Sequence, residues 1–532
     1  MHFDAIIVGG GIAGLTAAAF LSRSGHKVLL CEKEDHPGGL IGSFDYKGFT
    51  FDAGIRAMEN SGVLFPMLRQ LGIEVDFVRS LVSIGIGDAA VDLTSRDSIK
   101  AYQEMLNGQF SGEEKAIAAL IGIMKKIMDY MRVIYGIDNP LFMDLKTDRA
   151  YLMKTLLPWM LKYITTVGKI KQFNVPVEGY LKTITANQAL IDVIAQHFFK
   201  STPAFFALSY FSLYLDYNYP KGGTGTLISK MAAYIEKNGG VIKTSTAISA
   251  VDPVKRTVTD EKGSVYPYGK LIWCADQKAL YASLIHLDRL PAQVSGKIKD
   301  RLAFLSDKTG GDSVTTLYLT VDIDKAYFGG ISGPHFFYTP QKKGLGTLPA
   351  GSIQSPDGSY VKAHDRVFEW LRAFLQMTTY EISIPVLRDE TLAPEGKTGL
   401  IISTLMDYSL AAHIRAQGWY DEFKALCREA ITASLTASVY PRLAGHVIDG
   451  FVSTPLTIQR LTGNTGGAIT GWAFTNAAMP AITKMPQIAR SVKTPIPHVF
   501  QAGQWTYSPS GFPISILTGK LAADSAAKEL KG

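Results

Sequence analysis

Residues 3–9, Phe-Asp-Ala-Ile-Ile-Val-Gly, make a short β-branched run with no polar alternation, the pattern of a parallel strand buried on both faces. Alanines and leucines then recur at helical spacing from Leu15 to Ser24, and after Gly25 a second apolar strand runs from Lys27 to Cys31. The pattern predicts strand, helix and strand, with the turn Gly9-x-Gly11-x-x-Gly14 between the first two. Further along, Ile117, Leu120, Ile121, Met124, Ile127, Met128 and Met131 stand three and four apart. That spacing predicts an amphipathic helix over Ala116 to Tyr135 with methionines on its apolar side, either core or tunnel. Residues 111–215 as a whole read as a helical region unlike the mixed pattern on either side.

Within that region, Arg149 to Phe173 holds five Lys/Arg and no Asp or Glu, interleaved with Leu156-Leu157-Pro158-Trp159-Met160-Leu161. Such a segment suits a membrane interface, with Trp159 and Tyr163 at headgroup level and lysines toward anionic lipid. The alternative is a helical lid packed on its own domain. The richest apolar stretch, Phe205 to Leu215, is too short to span a bilayer and contains Ser209 and Ser212.

Composition narrows the classes. The 532 residues, 47% hydrophobic and 19% charged with 50 glycines, suffice for large buried cores and exclude disordered, collagen-like and coiled-coil chains. A formal charge of +7, with no run of five like charges, makes nucleic acid an unexpected partner. Cys31, Cys274 and Cys427 lack CxxC spacing and read as buried thiols in a reducing compartment. No secretory signal is read, so the expected location is cytoplasmic, peripheral at a membrane. The histidines show no HxxxH or HExxH, so no metal site is expected. Ser508-Pro509-Ser510-Gly511 lacks the spacing of a serine-hydrolase elbow.

The glycine turn carries specific chemistry. Gly9 makes the turn, Gly11 lets backbone amides approach a pyrophosphate, and Gly14 lets the helix pack closely on the sheet, with the phosphate at the helix N-terminus. Glu32 ends the second strand where a carboxylate accepts hydrogen bonds from an adenosine ribose. Gly85-Ile-Gly87-Asp-Ala-Ala90 fits the relaxed pattern too, but Val91-Asp92-Leu93-Thr94 follows it in place of a helix, so it reads as a hairpin turn.

After Glu32-Lys33 come Gly38-Gly39 and then Gly48-Phe49-x-Phe51-Asp52-x-Gly54. Here the chain resembles the FAD-dependent amine oxidase and phytoene desaturase superfamily. The likeness recurs at Tyr219 to Gly223, Thr246-Ala247-Ile248, Ile272 to Asp276, Leu317 to Asp322, Ser383 to Gly396 and Thr454 to Trp472. It ends at Val499-Phe500-Gln501-Ala502-Gly503-Gln504 with Gly511-Phe512-Pro513-Ile514 and a helix over Leu517 to Leu530. The subgroup it resembles most is that of carotenoid isomerase, retinol saturase and bacterial phytoene desaturase-like proteins. The resemblance implies FAD held by Gly9, Gly11, Ile12, Ala13, Gly14, Glu32, Lys33, Gly38, Gly39, Leu40, Gly54, Ile248, Gly503, Gln504, Phe512, Pro513 and Ile514. Leu40 stands where amine oxidases usually carry Arg, which argues against amine oxidation. Gln504 stands where many relatives carry Asp or Glu on the ribityl chain.

The implied fold is α/β, a Rossmann-like FAD-binding domain of the glutathione reductase/amine oxidase type interlaced with a mixed-sheet substrate domain carrying a helical insert. The expected division is 1–65, 216–300 and 445–532 for the FAD domain against 66–215 and 301–444 for the substrate domain. The implied activity is FAD-dependent oxidoreduction or isomerisation at carbon–carbon double bonds of an isoprenoid or polyene lipid in an apolar tunnel. An ene-reductase acting on a compact enone and a non-catalytic, flavin-bound membrane scaffold are the alternatives. Of the catalytic candidates, His335 is a base near the substrate or a satisfied histidine beside a strand. Arg56 reaches the flavin's far end or makes an ion pair.

Overall fold

The computed structural model describes residues 2–144, 148–507 and 511–531; the Ser508-Pro509-Ser510 stretch lies outside the described residues. Two seven-stranded sheets organise the chain. In the first, Phe3–Val8 lies between Val28–Cys31 and Val265–Trp273 and runs parallel to both, with Ile6 opposite Leu29 and Leu271. Val241–Lys243 and Val499–Gln501 add further parallel strands. Ala5, Ile6 and Ile7 are fully buried, as a continuous apolar run in a two-sided parallel sheet requires. The first helix, Ile12–Arg23, is buried over nearly its whole surface because the last helix, Phe512–Lys531, covers its outer side.

The last helix begins five residues before the expected Leu517. Pro513 falls in its first turn, where the missing N–H has no intrahelical partner to lose. The first helix likewise begins at Ile12, not Leu15, so Gly14 lies inside it.

The second sheet is mixed, in the order Val447–Ser453, Ser313–Val321, Thr398–Met406, Tyr380–Ser383, His335–Thr339, Val82–Ile86 and Ala89–Leu93. Its last two strands are the hairpin at Gly85 to Ala90, with Gly87 in the left-handed region (φ 60°). Val447–Ser453, which the expected division places with the first domain, pairs along Ser313–Val321 in this second sheet. Its partner lies far away in sequence, so nothing local in the chain marked the assignment. One face of the sheet packs Leu317, Leu319, Ile382 and Ile402 against the helices His364–Met377 and Tyr420–Thr436. The other face looks toward the first sheet.

Glu114–Ile134, Gln188–Ala195 and Ala204–Tyr214 build a separate helical core, in which Met124, Met128 and Met131 are buried and do not line the cavity described below. No helix among the described residues is long and apolar enough to cross a membrane.

Leu157–Ile170 lies across Glu114–Ile134. Trp159 does not point outward as expected: its indole N–H donates to the Val133 carbonyl and its ring lies 4.6 Å from that of Tyr163, both half-buried. The outward stripe is instead Met153, Leu157, Met160, Leu161 and Ile164, spaced four, three, one and three. With Val175 these make six of the thirteen exposed large hydrophobic side chains among the described residues, so the exposure is concentrated in one place.

Candidate functional site

At the end of Phe3–Val8 the chain turns through Gly9 into the first helix, whose N-terminus at Gly11 has no side-chain cap. Its leading amides are left for a ligand, and the helix dipole favours an anionic one. A Cβ on Gly11 would meet no atom within 4 Å, because that face of the glycine looks into an open groove. Gly38 forms a bridge with Gly11, and Gly39 comes so close that its own Cβ would stand 3.4 Å from the Gly11 Cα. Gly14 is different in kind: a Cβ there would lie 1.9 Å from the Gly9 carbonyl oxygen. It serves packing, and alone among the cofactor residues read from sequence it does not line the cavity described below.

Glu32 is 7% exposed and does two jobs. Its carboxylate accepts backbone N–H bonds from Gly10 at 2.6 Å and Glu34 at 3.0 Å, which pins the glycine turn. A carboxylate offers about four lone-pair sites, so two remain for a ribose. Lys33 lines the groove, but its ammonium is held by the Arg460 carbonyl at 2.6 Å. Gly503 donates its N–H to Thr518 Oγ1 at 3.0 Å, joining the last strand to the last helix beside half-buried Gln504.

One cavity of about 830 Å³ gathers these groups. It runs from Glu32 and Ile248, past Gly11, Gly39, Leu40, Gly54, Gly503, Gln504 and Phe512-Pro513-Ile514, to Arg56 and His335. There it opens into a chamber between the second sheet and Ala204–Tyr214. Strand alternation turns Thr316, Tyr318, His335, Phe337, Glu381 and Ser403 into this space. Phe206, Tyr210, Leu213 and Tyr214, at helical spacing, line its other side. Rings of Tyr214 and Phe337 meet across it at 4.7 Å.

The chamber is not simply apolar. Arg56, 5% exposed, donates from Nη1 to the Asp52 carbonyl at 3.3 Å and from Nη2 to Ser403 Oγ at 3.0 Å. His335 Nε2 lies 3.0 Å from Glu381 Oε1. Burial alone would raise the Glu381 carboxyl, but His335 and the guanidiniums of Arg56 and Arg388 more than offset it and hold Glu381 below its ordinary value. Burial, with a smaller contribution from the same guanidiniums, pushes His335 down against the opposing pull of Glu381.

Residues 7–71 match the family of NAD(P)-binding Rossmann-like domains. Over the whole chain, the structure is similar to an oxidoreductase from Methanosarcina mazei, with TM-score 0.60 at 15% identity and 98% and 99% of the two chains covered. It is similar also to cyclohexylamine oxidase from Brevibacterium oxydans, with TM-score 0.59 at 12% identity and 100% of each chain covered. This is the fold of the amine oxidase-type flavoprotein superfamily.

In sequence the chain is similar to proteins named as a retinol reductase, a prolycopene isomerase and a diapophytoene desaturase. All-trans-retinol 13,14-reductase of Danio rerio is 24% identical, covering 94% of this chain and 82% of the relative. Prolycopene isomerase of Daucus carota is 23% identical over 88% and 71%. The 4,4'-diapophytoene desaturase of Staphylococcus aureus is 22% identical over 99% of each. A further relative, an inactive all-trans-retinol 13,14-reductase of Danio rerio, is 28% identical over 50% of this chain, and the match spans less than half of that protein's length, 44%.

Sequence reading missed Glu59, His197, Glu381 and the tyrosines 135, 210, 214 and 217, all of which line the cavity. A signal existed for some. Glu381 and Ser383 alternate with fully buried Tyr380 and Ile382, marking a strand with one polar face. Glu59 sits opposite Tyr217 in a short antiparallel pair. Burial and then nearby Asp216 push its carboxyl from 4.5 up to about 7. The folded chain therefore keeps this proton where the unfolded chain has lost it, and stability falls as pH rises from 4.5 through about 7. Glu59→Gln is expected to flatten that part of the Tm-against-pH curve and to raise Tm at pH above 7; parallel curves for the two proteins would show that Glu59 titrates normally.

Proposed function

We propose that this chain is an FAD-dependent oxidoreductase acting on carbon–carbon double bonds of an isoprenoid or polyene lipid taken from a membrane surface. The observation that carries the reading is the continuity of one cavity from the dinucleotide groove into an aromatic-walled chamber. The groove fits FAD: an uncapped helix N-terminus for the pyrophosphate, Glu32 lone pairs at one end and the second glycine pair beside the first. FAD supplies hydride transfer. The chain's own residues bind and exclude: Gly11 and Gly39 admit the diphosphate, and Phe198, Phe206, Tyr214 and Phe337 hold an extended apolar chain away from water. The relatives' names support this kind of chemistry and include reduction, isomerisation and desaturation alike.

Purified protein incubated with a panel of isoprenoid and polyene lipids, with and without oxygen, tests the reading by mass spectrometry. A change of two hydrogens or a new isomer of equal mass is expected. No conversion of any lipid by FAD-loaded protein would overturn it in favour of a scaffold.

Gln504 bears on direction. At that position a carboxylate would set negative charge beside the flavin and oppose the charge gained on reduction, whereas the amide keeps hydrogen-bonding capacity without it. A unit charge several ångströms away at intermediate dielectric is worth about 1–2 kcal/mol, or roughly 20–45 mV for two electrons. Gln504→Glu is expected to lower the two-electron potential by that amount, and a potential that stays or rises would show that Gln504 does not tune the flavin.

A further inference from the structure

Reduction of a carbon–carbon double bond adds a hydride to one carbon and a proton to the other, and desaturation removes both. A polyene has no acidic group of its own, so the proton has to be held by the chain or by water.

Most titratable groups along the cavity are committed elsewhere. Glu32 pins the glycine turn, Glu34 faces Lys33 at 3.4 Å, and Asp276 accepts N–H bonds from Lys278 at 2.7 Å and Thr465 at 2.7 Å. Glu381 is engaged by His335 and held below its ordinary value. Burial pushes His197 down to about 4, and the tyrosine hydroxyls 135, 210, 214 and 217 are all raised by burial, so none of these exchanges a proton readily near neutrality.

Glu59 differs in place as well as in chemistry. The wall from Gly54 through Arg56 to Ser61 carries it, and its Oε1 stands 3.7 Å from where a Cβ of Gly511 would be, next to the Phe512-Pro513-Ile514 wall of the groove. On the other side it sits opposite Tyr217, which lines the chamber. Its carboxyl therefore lies where groove and chamber meet. Apart from its own backbone N–H, no donor meets that carboxyl among the described residues, and the half-buried side chain forms part of the cavity wall. The titratable groups that face it are Asp216, Tyr135, Tyr210 and Tyr217, with no cation among them. Burial and Asp216 bring it to about 7, where an acid both gives and regains a proton.

We propose that Glu59 is the proton carrier of this site, giving its proton to one carbon of the double bond as a hydride reaches the other, and taking it back in the reverse direction. The claim rests on the lipid reading above and adds the acid–base residue to it. In reduction the Glu59 O–H bond breaks and a C–H bond forms, the electron pair arrives with the hydride from the reduced cofactor, and a proton from water restores the acid. Negative charge gained by the cofactor favours the protonated carboxyl, so a reduced protein binds one proton more than the cofactor alone requires.

The test is the two-electron potential of the FAD-loaded protein against pH, above about pH 7, for unmodified protein and Glu59→Gln. Each proton bound with the electron pair changes the equilibrium tenfold per pH unit, or about 30 mV. The unmodified protein is expected to show about 60 mV per pH unit and the variant about 30. Dithionite-reduced variant mixed anaerobically with the lipid panel is expected to convert it at least about a hundred-fold more slowly. Equal slopes, or equal conversion by both proteins, would overturn the role of Glu59 and leave the lipid reading standing. If the unmodified protein converts no lipid, that reading falls and with it the transfer to carbon, whatever the slopes.

Discussion

Gly11→Val is expected to abolish dinucleotide binding, weakening it by at least about a hundred-fold, while the apoprotein stays folded. The two halves of that expectation rest on one feature: the Cβ position of Gly11 faces open groove, so a branched side chain strains nothing in the protein and fills the space through which a diphosphate approaches the helix amides. Gly14→Ala should behave in the opposite way. Its Cβ would be 1.9 Å from a backbone oxygen that cannot move without breaking the turn. Overpacking of this kind costs about 3 kcal/mol or more, so loss of soluble protein or a sharply lower Tm should precede any specific loss of ligand. Calorimetric titration with FAD and thermal unfolding of both variants separate the roles. A Gly11→Val protein that still binds FAD normally would remove the pyrophosphate from this turn.

Replacing Lys154, Lys162, Lys169 and Lys171 together by Glu is expected to release the protein from phosphatidylserine-containing vesicles. All four are exposed, and none makes an ion pair among the described residues. They flank the exposed stripe from Met153 to Ile164, an arrangement of cations around apolar surface that suits an anionic bilayer. Each lysine near such a surface contributes about 1 kcal/mol, so the four together set an expected loss of at least roughly a hundred-fold after screening by salt. Co-sedimentation at several salt concentrations measures it. Equal partitioning of both proteins would leave a plain helical lid.

How far the sequence went depended on how local the cause was. An unalternating apolar run, three spaced glycines and an acid at the end of the next strand determine a parallel strand, a tight turn and a helix by themselves, because sterics and hydrogen bonding act within thirty or so residues. The helix over Glu114–Ile134 was legible for the same reason: its stripe repeats at the helical period. The hairpin at Gly87 was also local. Arg56, His335 and Glu381 come from segments that local rules treat separately, and only the register of the second sheet, with Glu381 opposite both Phe337 and Ser403, sets them together beneath Tyr214 and Tyr217. Val447–Ser453 joined that sheet through hydrogen bonds to residues more than a hundred positions earlier. Whether Trp159 faced lipid or protein turned on the Val133 carbonyl one helix away. Periodicity tells a strand which face is buried, but what lies against that face is set by long-range packing, so the sequence determined the dinucleotide groove and the tertiary structure alone decided the chemistry of the chamber beyond it.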